Sequence, residues 1–183
     1  MHQKNLLRKK YYQIRKKKYY EVSKHFFTPL VSLIKSKFKK KKLKIALYFP
    51  ASFEINTLKL LELNYISKQN LFLPVIEENN KMNFFSWKKN EVLCVNRYGM
   101  LEPIKSKQSV PNVMLVPLLV FDENKYRLGY GKGFYDRYLN KYLNAFKNIL
   151  TVGVAFSFQK YNKLPINDKD VQLNYILTEK GIN

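Results

Sequence analysis

Cysteine is all but missing from this chain. Cys94 stands alone, so no disulfide can close within it, which suits a reducing compartment. Cys94 itself reads as a small buried apolar residue rather than a nucleophile. Histidine is nearly as scarce, and His2 and His25 are too far apart in sequence to suggest a zinc site. Acids are few: 13 Asp+Glu face 34 Lys+Arg, a formal net charge of +21. That surplus fits a protein that meets nucleic acid, a membrane surface or an anionic substrate. It fits equally the AT-rich codon usage that fills a chain with Lys, Asn, Tyr, Phe and Ile and leaves lysines on solvated faces. No apolar run reaches the length of a membrane span, and the basic N-terminus lacks the apolar core of a signal peptide. A cytoplasmic protein without membrane contact is expected.

What is present suffices for a core. With 183 residues, 46% of them hydrophobic and 15% aromatic, the chain reads as one folded domain over residues 1–183. Apolar strand-like runs alternate with amphipathic helical ones. The expected class is α/β: helices layered around a mixed, largely parallel sheet in a single compact domain.

The segment from Val113 to Lys141 organises the rest. Val113–Phe121 is an almost unbroken apolar run, as in a strand buried on both faces. Asp122, Glu123 and Asn124 end it with turn residues. Then follows Arg127-Leu128-Gly129-Tyr130-Gly131-Lys132-Gly133, and from Phe134 the apolar residues fall at helical spacing through Tyr138, Tyr142 and Phe146. Glycines let a backbone approach a ligand, the helix start offers free N–H groups and the positive dipole end, and Arg127 and Lys132 add full charges. The pattern favours an anion. It is neither the P-loop pattern, since no Gly-Lys-Ser/Thr closes it, nor the dinucleotide fingerprint, whose third glycine comes a position later. Asp136, in the first helical turn, can stabilise the helix start or hold a magnesium ion that bridges phosphates.

Elsewhere, His2–Tyr20 is a basic helix with Lys4 and Arg8 on one face and an apolar stripe of Leu7, Tyr11 and Ile14. Glu21–Ile34 is helical, with Pro29 as a kink or a break between two short helices. Lys35–Lys44 reads as an exposed connection. Strands are expected at Lys44–Phe49, at Asn70–Ile76 with Pro74 near an edge or end, at Met82–Trp87, at Ile149–Phe156 and at Tyr175–Thr178. Thr57 is the expected cap of a helix that follows, and Glu54 sits in the preceding strand-to-helix connection, where open α/β sheets hold ligands. Val92–Glu102 reads as irregular. Trp87, the lone tryptophan, belongs to the core or stacks on a flat ring beside a pocket.

The stretch VPLLVFDENKYRLGYGKGFYDRYL resembles the signature of the 5-formyltetrahydrofolate cyclo-ligases, also called methenyltetrahydrofolate synthetases. Three further segments agree in order: Lys4-Asn-Leu-Leu-Arg8, Tyr48-Phe-Pro-Ala-Ser-Phe-Glu54-Ile-Asn-Thr57, and the closing run from Leu164 to Glu179; Gly99-Met-Leu-Glu102-Pro103 is a fainter match. The resemblance implies ATP-dependent conversion of 5-formyltetrahydrofolate to 5,10-methenyltetrahydrofolate with release of ADP and phosphate. It implies ATP contacts from Lys4, Arg8, Arg127, Leu128, Gly129, Tyr130, Gly131, Lys132, Gly133, Phe134 and Tyr135, with Arg127 and Lys132 catalytic. Mg²⁺ would be held by Asp136 and Asp170, and the folate by Phe49, Glu54, Trp87 and Tyr135, with Glu54 on the pterin edge. A monomer is expected, and a basic surface would suit the polyglutamate tail of a folate. The alternative is a basic nucleotide- or RNA-binding module that keeps the fold without the chemistry. Two positions depart from the family's pattern: Leu118-Leu119, where a Pro-Gly segment is usual, and Asn174, where an aspartate is common.

Overall fold

Alternation of side chains decides the architecture. A computed structural model describes residues 2–39, 42–146 and 148–183. Its strands in chain order are β1 (Lys44–Ala46), β2 (Asn70–Ile76), β3 (Met82–Ser86), β4 (Leu93–Val95), β5 (Leu101–Pro103), β6 (Val113–Pro117), β7 (Val120–Phe121), β8 (Arg127–Leu128), β9 (Leu150–Val154), β10 (Tyr175–Thr178) and β11 (Gly181–Ile182). A seven-stranded sheet has the order β11-β10-β9-β6-β1-β2-β3. Strands β10, β9, β6, β1 and β2 run parallel, and β3 and β11 close the two edges antiparallel. The expected mixed, largely parallel sheet is therefore what forms.

Successive residues of each central strand enter opposite cores. Ile45, Leu71, Leu73, Val113 and Leu115 face one side, against Phe27, Leu30 and Ile34. Ala46, Phe72, Met114, Val116 and Ile176 face the other, against Tyr138 and Leu139. The helices are α1 (His2–Lys18), α2 (Thr28–Lys37), α3 (Asn64–Ser67) and α4 (Phe134–Leu143). Thus α2 covers the first face and α4 the second. Helix α1 packs instead through Leu7 and Tyr11 on Val120, Leu128 and Leu164, a smaller cluster beside the β7–β8 hairpin. No described helix is long and apolar enough to cross a membrane.

Several expectations need correction. The apolar run from Val113 is not one strand: it leaves the main sheet after Pro117, because the carbonyls of Leu118 and Leu119 turn to accept side-chain donors. Pro29 marks a break, with a 3-10 turn at Lys24–Phe27 before it and α2 starting at Thr28. The lysine run is not all connection: Lys35 and Lys37 lie in the last turn of α2 and Lys44 opens β1, while Lys40 and Lys41 lie outside the described residues. Pro74 sits inside β2, between two strands, and not at an edge. β1 reaches only residues 70–72 of β2, so at Pro74 no ladder bond on that side is lost. Asn56, not Thr57, caps the 3-10 turn Thr57–Glu62, its side chain accepting from Leu58 N–H; the Thr57 hydroxyl is spent on the carbonyl of Tyr48. Val92–Glu102 contains the β4–β5 hairpin. That hairpin is a separate two-stranded sheet, and it leaves Cys94, read as buried, exposed. Helix α4 stops at Leu143, leaving Phe146 half exposed.

Candidate active site

The parallel strands deliver the chain to one rim of the sheet. After β1 comes the turn with Phe49 and Glu54; after β6 come Leu118 and Leu119, leading to the β7–β8 hairpin and the glycine loop. Strand β1 lies between β2 and β6, so the chain's order reverses there, and the crevice outside such a reversal is where α/β sheets bind ligands.

The glycine loop runs from β8 into α4. Gly131 has φ +95°, and a Cβ there would meet the Arg8 guanidinium carbon at 3.3 Å. Gly133, the N-cap of α4, has φ +67°, and a Cβ there would lie 2.9 Å from an Arg137 nitrogen. A side chain at either position would be strained or would displace a cation. Among the described residues, no backbone N–H of residues 129–133 donates a hydrogen bond. The loop thus presents bare amides beside the positive end of α4.

Distant cations meet this loop. Arg8 Nε donates to the Gly129 carbonyl at 2.8 Å, and Arg8 Nη1 to Asn5 at 2.7 Å. Arg127, only 4% exposed, donates through Nη1 to Asp136 Oδ1 at 3.0 Å. Its Nε and Nη2 are buried with no partner among the described residues, as is the Tyr135 hydroxyl. The guanidinium carbon lies 5.9 Å from the centre of the Tyr135 ring. Lys4 pairs with Asp170 through Oδ2, which also accepts from Asn167 N–H at 2.7 Å. Val171 N–H reaches Asp136 Oδ1 at 3.5 Å, which brings Asp170 beside Asp136. Lys132 is exposed, with Nζ 5.7 Å from the centre of the Tyr98 ring.

Asp136 and Asp170 can be tested as ligands for Mg²⁺. Each carboxylate spends one oxygen on a cation, while Asp136 Oδ2 and Asp170 Oδ1 accept nothing among the described residues. No group of three or more His, Cys, Asp or Glu gathers to hold a metal among the described residues. Mg²⁺ ordinarily takes one or two carboxylates and completes its shell with phosphate and water, so two neighbouring carboxylates with an oxygen to spare suit an ion that arrives with a nucleotide.

The other half of the site centres on Glu54, 7% exposed. Its Oε2 accepts from Ala51 N–H at 3.0 Å and its Oε1 from the Tyr130 hydroxyl at 2.9 Å. Burial pushes its carboxyl above the ordinary value, against the pull of the Ala51 N–H, the Arg15 charge and the Tyr130 hydroxyl. Burial likewise raises the phenol of Tyr135. Arg15, 1% exposed, looks in sequence like one more basic residue of the first helix. A signal for it existed: it falls on the face of α1 that Leu7 and Tyr11 bury. Phe49 is half-buried where the chain leaves β1. Trp87 belongs to the core with Leu61 and Leu71. It also lines an open depression of about 300 Å³ with Asn56, Leu58 and Lys89, to which no residue of the glycine loop contributes.

Both departures from the signature are absorbed. Leu118 and Leu119 are buried, and their carbonyls receive Arg15 and Gln159. Asn174 Oδ1 accepts from Thr151 N–H at 2.8 Å and from the Thr151 hydroxyl at 3.0 Å, so the amide oxygen fills an acceptor's role there.

Known proteins resemble this chain throughout. It is 34% identical over 140 residues, 73% of this chain and 74% of the relative, to a 5-formyltetrahydrofolate cyclo-ligase of Haemophilus influenzae. The NMR structure of a 5,10-methenyltetrahydrofolate synthetase from Aquifex aeolicus superposes with a TM-score of 0.74 at 32% identity, covering 98% of this chain and 91% of that one. A 5,10-methenyltetrahydrofolate synthetase structure from Mycoplasma pneumoniae gives a TM-score of 0.70 at 26% identity, covering 96% and 98%. The family model described as "5-formyltetrahydrofolate cyclo-ligase family" matches residues 1–179, and the chain belongs to that family.

Proposed function

We propose that this chain performs the reaction of its family, the ATP-dependent closure of 5-formyltetrahydrofolate to 5,10-methenyltetrahydrofolate, with the two halves of the site dividing the work. The reading rests on one observation above all: among the described residues, buried Arg127 keeps two nitrogens without an acceptor beside a loop of partnerless amides. Buried donors are ordinarily satisfied, and a polyphosphate supplies oxygens for both.

The amides of residues 129–133, with Arg8, Arg127 and Lys132, receive the triphosphate, and Lys4 stands at its margin, paired with Asp170. Phe134 and Tyr135 carry the loop into α4. Asp136 and Asp170 would hold Mg²⁺, which would neutralise phosphate charge. Glu54 accepts N–H groups of the pterin edge, with Phe49 and Tyr135 as its flanking rings. The folate's formyl oxygen attacks the γ-phosphorus, ADP leaves, and the oxygen becomes phosphorylated. N10 then adds to the activated carbon, and phosphate departs with the N10 proton as the ring closes. Such chemistry asks for positioning and for stabilisation of phosphoryl charge, not for a protein nucleophile. A monomer that accepts polyglutamylated folate on its basic surface completes the reading.

The test mixes the protein with MgATP and 5-formyltetrahydrofolate and follows the absorbance of the methenyl product. ATP-dependent growth of that signal is expected. Its absence, together with salt-sensitive RNA binding, would move the assignment to a nucleic-acid-binding module.

A further inference from the structure

Tyr130 belongs to both halves of the site. Its backbone lies in the glycine loop, and its ring is 45% exposed. Its hydroxyl, however, donates to Glu54 Oε1 at 2.9 Å and accepts from Arg15 Nη2. Arg15 comes from α1. Its Nη1 donates to the Leu118 carbonyl at 2.9 Å and its Nη2 to the Ser52 carbonyl at 2.8 Å. One buried guanidinium therefore bridges the segment that follows β6 and the segment that follows β1, at the reversal of strand order.

We infer that Arg15 and Tyr130 are positioning residues for folate recognition: they hold the Glu54 carboxylate in one orientation and in its ionised form, and tie it to the loop that receives the nucleotide. This rests on the placement of Glu54 at the pterin edge. A carboxylate that must accept N–H groups of a substrate has to be ionised, and burial opposes that. The groups acting on Glu54 are Arg15 from α1, the Ala51 N–H of its own turn and the Tyr130 hydroxyl from the loop. Tyr48 from the end of β1 and Tyr135 from α4 also face it, and burial raises both phenols, so they stay neutral. Arg15 is then the cation that offsets burial. Arginine side chains carry a permanent charge, and this fork is fixed by two backbone carbonyls, which fixes its direction as well. A lysine could supply the charge but not three directed bonds.

A plug that merely filled the crevice would contribute equally at every pH. The proposed role would not. Removing the Tyr130 hydroxyl takes away a bond that favours the carboxylate, so Glu54 would hold its proton to higher pH. The defect must then be large on the acid side and shrink as pH rises.

The experiment compares Tyr130→Phe, Arg15→Lys, Arg15→Gln and Glu54→Gln in the full-length enzyme. It measures kcat, KM for ATP and KM for 5-formyltetrahydrofolate from about pH 5.5 to about pH 8.5. Tyr130→Phe is expected to raise the folate KM about tenfold near the acid end, as for one bond to a charged group. The rise should fade toward the alkaline end, and at the acid end the folate KM should move by a larger factor than either kcat or the ATP KM. Arg15→Gln should move the acid limb the same way, and Arg15→Lys should return it toward the parent. A pH-independent change in Tyr130→Phe, or none, alongside a raised folate KM in Glu54→Gln, overturns the positioning role. An unaltered folate KM in Glu54→Gln overturns the placement of Glu54 instead. Should the Arg15 variants fail to fold, Tyr130→Phe decides alone.

Discussion

The two halves of the site use the same chemical groups in opposite senses. Around the glycine loop, carboxylates serve cations: Asp136 aims Arg127 and Asp170 holds Lys4. Across the crevice, a cation serves a carboxylate: Arg15, with Tyr130, aims Glu54. On the proposed reading, the difference follows from what each half would receive. A triphosphate is anionic, so the working groups are cationic and acids orient them. A pterin edge offers N–H donors, so the working group is an acid and a cation keeps it charged. Net positive charge is therefore a poor guide to this site. Of the 34 Lys+Arg, the telling ones are Arg127 and Arg15, which are buried and directed.

The comparison can be broken from the nucleotide side. Lys132 lies in the loop, exposed and with no ion pair among the described residues. Its replacement, Lys132→Met, should leave the thermal transition unchanged and cut kcat by about a thousandfold, as when a directed transition-state donor is lost. Near-normal turnover would take Lys132 off the transferring phosphoryl group. Asp136→Asn comes next. It leaves the Arg127 charge buried without its carboxylate, which should cost up to about 3 kcal/mol of stability and lower Tm by roughly 6–12 °C in a chain of this size. Unfolding curves with and without ATP would check it. ATP restoring part of the loss would identify phosphate as the second partner of Arg127.

The two halves also differ in how far they could be read beforehand. The centre of the half proposed for nucleotide is local: Arg127 to Asp136 lie within one strand, loop and helix, and glycine spacing marks it, while Lys4, Arg8 and Asp170 join it from afar. The parallel core was legible for a similar reason, since Asn70–Ile76 and Tyr175–Thr178 are apolar runs bounded by turn residues, and they match β2 and β10. The half proposed for folate is assembled from α1, the turn after β1 and the loop before α4, and nothing in local spacing says that Arg15 and Glu54 come together through Tyr130. Arg15 was hidden by its neighbours, a run of solvated basic residues with the same sequence signature. The break after Pro117 was hidden because a strand that ends to give its carbonyls to side chains stays as apolar as one that continues. Cys94 misled for the opposite reason: β4 is a strand by pairing, but of its three residues only Leu93 packs on the core, and Cys94 and Val95 face solvent.

A change on the folate side sharpens the contrast by separating stability from function. Glu54→Gln removes the acceptor that burial makes costly. Because the folded state raises this carboxyl above its ordinary value of 4.5, the native protein binds its proton more tightly than the unfolded chain does. The stability this contributes is full below about that ordinary value and is lost as pH rises through the folded value. The glutamine variant escapes that loss. It should therefore melt higher than the parent at neutral pH and match it in acid, while its folate KM rises roughly ten- to a hundredfold. Asp136→Asn must show the reverse, a loss of stability at neutral pH. If both variants shift Tm in the same direction, the division into halves fails.

The smallest change tests whether an acid matters wherever the family tends to carry one. Asn174 is exposed, and its side-chain oxygen accepts from the Thr151 N–H and hydroxyl at the start of β9. The Asn174 N–H in turn donates to the Thr151 hydroxyl at 3.0 Å. Among the described residues no cation depends on it for direction, unlike Asp136 and Asp170, and no substrate group is assigned to it, unlike Glu54. Asn174→Asp keeps the same oxygen in the same place and adds a charge where water can reach it. Stability should stay within about 0.5 kcal/mol, and kcat and both KM values should not move. A gain in turnover would mean that a carboxylate here orients something in the site through Thr151, giving the parallel strands a third charged position that neither half now contains.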